Sequence, residues 1–125
     1  MRSYQVGSRP ENVIVTAGAI WTAVNTGVAV VRIHPSGEAT RLPLGVNVIA
    51  VGAASDGAGP VWASVGPAQG CDGERSSVVR IDPESMAVTG RVVVPCSGFV
   101  THIGEDLWVV DDQTATLYVA TVEPP

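Results

Sequence analysis

The side chains of this 125-residue chain with the most chemistry to offer are few: His34 and His102, Cys71 and Cys96, and the acidic pairs Glu105 Asp106 and Asp111 Asp112. A resident metal ion needs several donors brought together, and neither histidine has a second ligand at coordinating spacing, so no metal and no cofactor is expected. The acidic pairs bracket a stretch that reads as a β-strand, whose rise of ~3.3 Å per residue sets them ~15 to 20 Å apart at its two ends. Solvated turns account for both. The sequence has no glycine loop of the phosphate-cradling kind and no nucleophile elbow, so no residue is given a catalytic role.

The composition asks for many strands. Apolar residues make up 46% and charged residues 15%, with 14 Gly and 9 Pro spread along the chain, a pattern that folds and turns often rather than one that stays disordered. The net charge of −5, with no cluster of Arg or Lys among aromatics, argues against a nucleic-acid partner. No apolar run approaches the ~20 residues of a membrane span, and residues 1–10 lack the apolar core of a signal peptide.

Those strands repeat. Trp21, Trp62 and Trp108 sit in matching contexts, Ala19 Ile20 Trp21 Thr22 Ala23, Pro60 Val61 Trp62 Ala63 Ser64 and Asp106 Leu107 Trp108 Val109 Val110, at a period of roughly 40 to 47 residues. A second anchor follows each Trp: Val31 Arg32 Ile33 His34 Pro35, then Val79 Arg80 Ile81 Asp82 Pro83, and more weakly Ala120 Thr121 Val122 Glu123 Pro124. By period and turn residues each unit is a four-stranded antiparallel meander. The first is expected at 13–17, 20–24, 29–34 and 39–44, the second at 48–53, 61–65, 77–82 and 88–94, and the third at 99–103, 107–110 and 116–122 without a fourth strand. Tyr4 Gln5 Val6 Gly7 resembles the outer-strand segment Leu42 Pro43 Leu44 Gly45. With strands lettered outward from the centre, the chain reads d, abcd, abcd, abc, a single segment with units at about 12–45, 46–95 and 96–125 plus 1–8.

This alternation of a Trp strand with an Arg-Ile-Asp-Pro turn resembles the bacterial β-propeller repeats of the YVTN and streptogramin-lyase-like kind, over nearly the whole chain. The resemblance implies an all-β partial propeller. Closed propellers have about four to eight blades, so three blades leave two open apolar faces, to be closed by a longer chain or by a homo-oligomer in which two copies complete a six-blade ring. The resemblance also brings in the His, Glu and magnesium chemistry of streptogramin lyases. Its motifs do not map here: only Leu107 Trp108 Val109 Val110 Asp111 approaches the acidic strand ending of that family.

In this frame the repeated Trp21, Trp62 and Trp108 are expected to pack blade on blade, and the repeated Arg32 and Arg80 to make structural pairs, Arg80 sharing a strand face with Asp82. Cys71 and Cys96 fall in loops of the same rim and are the candidate disulfide, worth ~3 kcal/mol in the chain-entropy model and implying an oxidising, secreted or cell-envelope setting. The connection 66–76, longer than the equivalent Asn25 Thr26 Gly27, is the candidate binding loop, with Gln69, Asp72, Glu74 and Arg75 as its polar residues, because insertions on one rim of a repeat protein often carry its specificity. The function expected is a non-enzymatic binding or interaction scaffold for an unidentified protein or small molecule. The alternatives are a segment of a streptogramin-lyase-like enzyme and the sensor part of a larger regulator.

Overall fold

In the computed structural model, residues 1, 3, 5, 10–24, 28–54, 56–67, 76–111 and 115–122 are described. They form strands β1 (Pro10–Thr16), β2 (Ala19–Val24), β3 (Ala29–Ile33), β4 (Ala39–Pro43), β5 (Val48–Ala53), β6 (Val61–Val65), β7 (Ser77–Asp82), β8 (Ala87–Val93), β9 (Phe99–Ile103), β10 (Asp106–Asp111) and β11 (Thr116–Thr121). Each sheet is an antiparallel meander of consecutive strands: β1 to β4, β5 to β8 and β9 to β11. Most turns between sequence-neighbouring strands are short, which favours their pairing. In the first of these turns Ala17 (φ 50°) and Gly18 (φ 71°) both adopt left-handed backbone, the two-residue geometry whose twist matches the strands it joins.

Four strands, β5, β6, β7 and β9, occupy the expected ranges; the others shift by one residue at one or both ends, except that the start of β1 moves by three. β1 starts at Pro10, and its pairing with β2 is irregular between Pro10 and Val13; proline, lacking an N–H, is tolerated at a strand's first residue. β10 runs through Asp111, which pairs with Thr116. No fourth strand of the third sheet is found among the described residues. Of the segment expected to act as an outer strand, Tyr4, Val6 and Gly7 lie outside the described residues and Gln5 is in no strand.

The sheets meet through their first strands. Asn12 in β1 uses its side-chain amide twice on the backbone of β5, donating from Nδ2 to Val51 O (2.8 Å) and accepting at Oδ1 from Val51 N (2.9 Å). β5 and β9 come so close that a Cβ built on Gly52 would stand 1.9 Å from Val100 O, and Ala54 forms a parallel bridge with His102. Period-2 alternation then divides each sheet between two neighbours. Ala19, Trp21, Ala23 and Val30 of the first sheet pack with Val51, Val61, Ala63, Val65, Val79 and Ile81 of the second. Trp62 and Val78, from the opposite face of the second sheet, pack with Val100, Leu107 and Val109 of the third.

The two outermost faces are unlike. On the first sheet, the face turned from the second sheet carries Thr22 (5% exposed), Val24 (0%), Val31 (3%) and Ile33 (5%), the last three forming their own buried cluster; Val13, Val15 and Ile20 on the same face are exposed, as are Ala39, Arg41 and Pro43 of β4. On the third sheet, Phe99, Ile103, Val110, Leu117 and Val119 are all exposed. Both outer faces expose apolar side chains, the first blade's only in part.

Candidate interaction surfaces

The three tryptophans occupy equivalent mid-strand positions, Trp21 and Trp62 each facing the next sheet. Trp21 is completely buried, and its Nε1 donates to Thr16 O (3.1 Å). Trp62 is buried with its ring edge-on to His102, centroids 5.7 Å apart. Trp108 is half-buried, because its face is the open one.

The residue opposite each Trp on the following strand sets the character of the seam. Arg32 pairs in register with Trp21, lies over its ring at 5.8 Å, and donates from Nη1 to Pro83 O in the second sheet's β7 to β8 turn (2.6 Å). It joins two sheets. Arg80, opposite Trp62, instead turns onto its own sheet, donating from Nε to Thr89 Oγ1 and from Nη2 to Thr89 O, both at 3.0 Å, while Gly90 leaves room for the guanidinium. Asp82 serves the turn beyond: its Oδ1 accepts from Glu84 N (3.0 Å), and this backbone hydrogen bond holds its carboxyl below the usual value. Opposite Trp108 the register places Val119.

One rim gathers small polar residues. Both ends of the 66–76 connection are tied to the links between sheets: Gly66 N donates to Asn47 O (3.1 Å) and Val94 N to Ser76 O (3.1 Å). Ser97 Oγ donates to Val65 O, and a Cβ on Gly66 would lie 3.1 Å from Ser97 Oγ and 3.2 Å from Ser76 Oγ. The ends of the connection are thus pressed against the link that carries Cys96, which is 7% exposed. The candidate loop residues Gln69, Asp72, Glu74 and Arg75, and Cys71, the proposed partner of Cys96, lie outside the described residues.

His34 and His102 lie in different sheets, one just beyond β3 and the other in β9. Both ring nitrogens of His102 are buried without a hydrogen-bond partner. Among the described residues no group of three or more His, Cys, Asp or Glu could hold a metal ion. Asp106 and Asp111 are the first and last residues of β10, and Asp112 lies outside the described residues. Asp111 is not a solvated turn residue as its sequence context suggests; it is 2% exposed, inside the last position of the strand. Strand alternation carries it to the inward face shared with Leu107 and Val109, and a run of two acids gives no sign of that.

A groove of about 720 Å³ opens between the first and second sheets, with Leu44, Val46, Val65, Val79 and Val88 as apolar walls and Arg91 also lining it. Its apolar lining suits a small apolar or amphiphilic ligand. No stretch of the sequence singled it out, because its walls come from four separate segments.

No protein-family model matches the chain, and neither does any curated protein. Solved structures do. A streptogramin B lyase structure superposes with a TM-score of 0.66 over 98% of this chain at 14% identity, and a catalytically inactive virginiamycin B lyase from Staphylococcus aureus, solved with quinupristin, does so with a TM-score of 0.57 over 94% of it at 18% identity. The chain spans less than half of those proteins, 44% and 43%. The likeness is one of fold: the three sheets are blades of a partial β-propeller.

Proposed function

We propose that this propeller segment is a non-enzymatic binding scaffold whose ligand is engaged on the rim where the 66–76 connection meets the links between blades. The observation that carries this reading is the double anchoring of that connection. Gly66 is fixed to Asn47 and Ser76 to Val94, with Ser97 holding Val65 between them, so a long insertion is presented from rigid strand ends, the arrangement by which loops acquire specificity at low ordering cost. Gln69, Asp72, Glu74 and Arg75 supply its polar contacts. A Cys71 to Cys96 bridge would tie the same connection to the link and would place the protein in an oxidising, secreted or envelope compartment.

A second reading, a segment of a lyase acting on a streptogramin, is favoured by the superposition on lyase structures. Quinupristin with magnesium separates the two. Under the scaffold reading, mass spectrometry finds the cyclic depsipeptide unchanged after incubation with the full chain; a magnesium-dependent change in its covalent structure would establish the enzyme instead. Saturable binding without turnover, lost when Gln69, Asp72, Glu74 and Arg75 are replaced together by Ala, would assign the rim. For the bridge, the mass of unreduced protein treated with an alkylating agent decides: two modified thiols would refute it.

A further inference from the structure

The first and second blades are packed together along their inner strands but not along their outer ones. Ala19, Trp21 and Val30 are buried against Val51, Val61 and Ala63. Farther out, the register of β8 with β7 pairs Val88 with Ile81, Arg91 with Val79 and Val93 with Ser77. Residues directly opposite on an antiparallel pair share a face, so these three side chains turn toward the first blade. They are not covered there: Val88 is 48% and Val93 61% exposed, and Arg91 is exposed. The link from β4 to β5 supplies the facing wall, with Leu44 and Val46 partly buried on the common core. Between link and strand lies the groove of about 720 Å³.

Its chemistry is one-sided. Among the described residues Arg91 is the only charged group lining the groove, and no carboxylate joins it. Arg32 is bonded to Pro83 O and Arg80 to Thr89, whereas Arg91 has no ion pair or hydrogen bond. An unengaged guanidinium beside aliphatic walls complements a ligand with one anionic head and a hydrocarbon body: the fork of N–H donors matches a carboxylate, and the walls take up apolar surface. The volume suits a small molecule. The walls offer too few polar groups to pair the amides of a peptide, while a hydrocarbon chain has none to satisfy. The whole chain carries a charge of −5, which repels anions at long range, so a preference for an anionic head must arise locally, at Arg91.

We infer that this groove binds a free, single-chain amphiphilic carboxylate, with its hydrocarbon chain along Leu44, Val46, Val79 and Val88 and its head on the Arg91 guanidinium. The site uses none of the polar residues of the 66–76 connection and stands apart from the rim reading.

Titration of the full chain with decanoate, and separately with the neutral 1-decanol, tests this by amide chemical shifts in NMR spectra. Decanoate should saturate a single site, with the shifts centred on residues 44–46 and 88–91. It should bind at least about tenfold more tightly than 1-decanol, the difference expected of a hydrogen bond to a charged group. Arg91→Gln should remove that preference by weakening decanoate alone, and Val88→Glu should weaken both ligands. Both side chains are exposed, so circular dichroism should show that the variants fold. Val119→Arg, on the open face of the third blade, and the fourfold Ala variant of Gln69, Asp72, Glu74 and Arg75 should bind decanoate as the unaltered chain does. Absence of saturation, equal affinity for acid and alcohol, or an Arg91→Gln variant that binds decanoate unchanged would each overturn the inference, as would loss of binding in Val119→Arg or in the fourfold variant.

Discussion

The seam between the first two blades and the open face of the third use the same tryptophan for different ends. At the seam, Trp21 is buried, its Nε1 bonded to Thr16 O, its ring under Arg32, and the arginine bonded to Pro83 O across the gap. On the third blade Trp108 stands half-exposed beside Val119. The Trp is therefore a constant of the repeat, and its neighbour decides whether the seam receives a polar bond. Identical spacing does not give identical energetics, because the free energy of an aromatic depends on what buries it.

Paired substitutions sharpen this contrast, beginning with the largest. Trp21→Ala should cost about 3 to 5 kcal/mol, as expected for removing a fully buried indole, whereas Trp108→Ala in the monomer should cost less than half as much; chemical denaturation of dilute protein measures both, and equal losses would mean that the two sites are buried alike. Next is Gly52→Ala, expected to destabilise by about 1 to 3 kcal/mol, since the new methyl would fall on Val100 O and the inner strands must part to admit it. Thermal melts should show a lower transition, and an unchanged one would place β5 and β9 farther apart than described.

Removing polar stitches has smaller consequences. Asn12→Ala deletes both bonds to Val51 and is expected to cost about 1 to 3 kcal/mol, because it leaves a backbone donor and acceptor of an inner strand unsatisfied. Arg32→Met keeps the stem over Trp21 but loses the bond to Pro83 O, at about 1 to 2 kcal/mol. The smallest effect belongs to Asp82. Its carboxyl is held below the ordinary value, chiefly by the hydrogen bond from Glu84 N, so its contribution is present above the normal carboxylate range and fades as pH falls through the lowered value. Asp82→Ala should remove that slight acid dependence from a pH series of melts and leave neutral stability nearly unchanged.

Much of the fold was written in one dimension. β5, β6, β7 and β9 occupy the ranges their period and turn residues indicate, and the three tryptophans mark equivalent strands, because strand alternation and short antiparallel connections are local properties. The candidate site was legible only as a location. The greater length of 66–76 could be counted, but its anchoring on Asn47, Val94 and Ser97 needed the links of two other segments to arrive beside it. Asp111 shows the same limit: two adjacent acids look like a solvated turn until the strand is seen to run one residue further.

By itself, then, the sequence determined that this chain is a set of repeated antiparallel β-meanders, since periodicity, turn residues and repeat length are set by neighbours along the chain. Only the tertiary structure decided which faces remain open. Burial of Val24, Val31 and Ile33 and exposure of Phe99, Leu117 and Val119 depend on what packs across each sheet, and apolar residues on an alternating strand read alike whether another surface covers them or not.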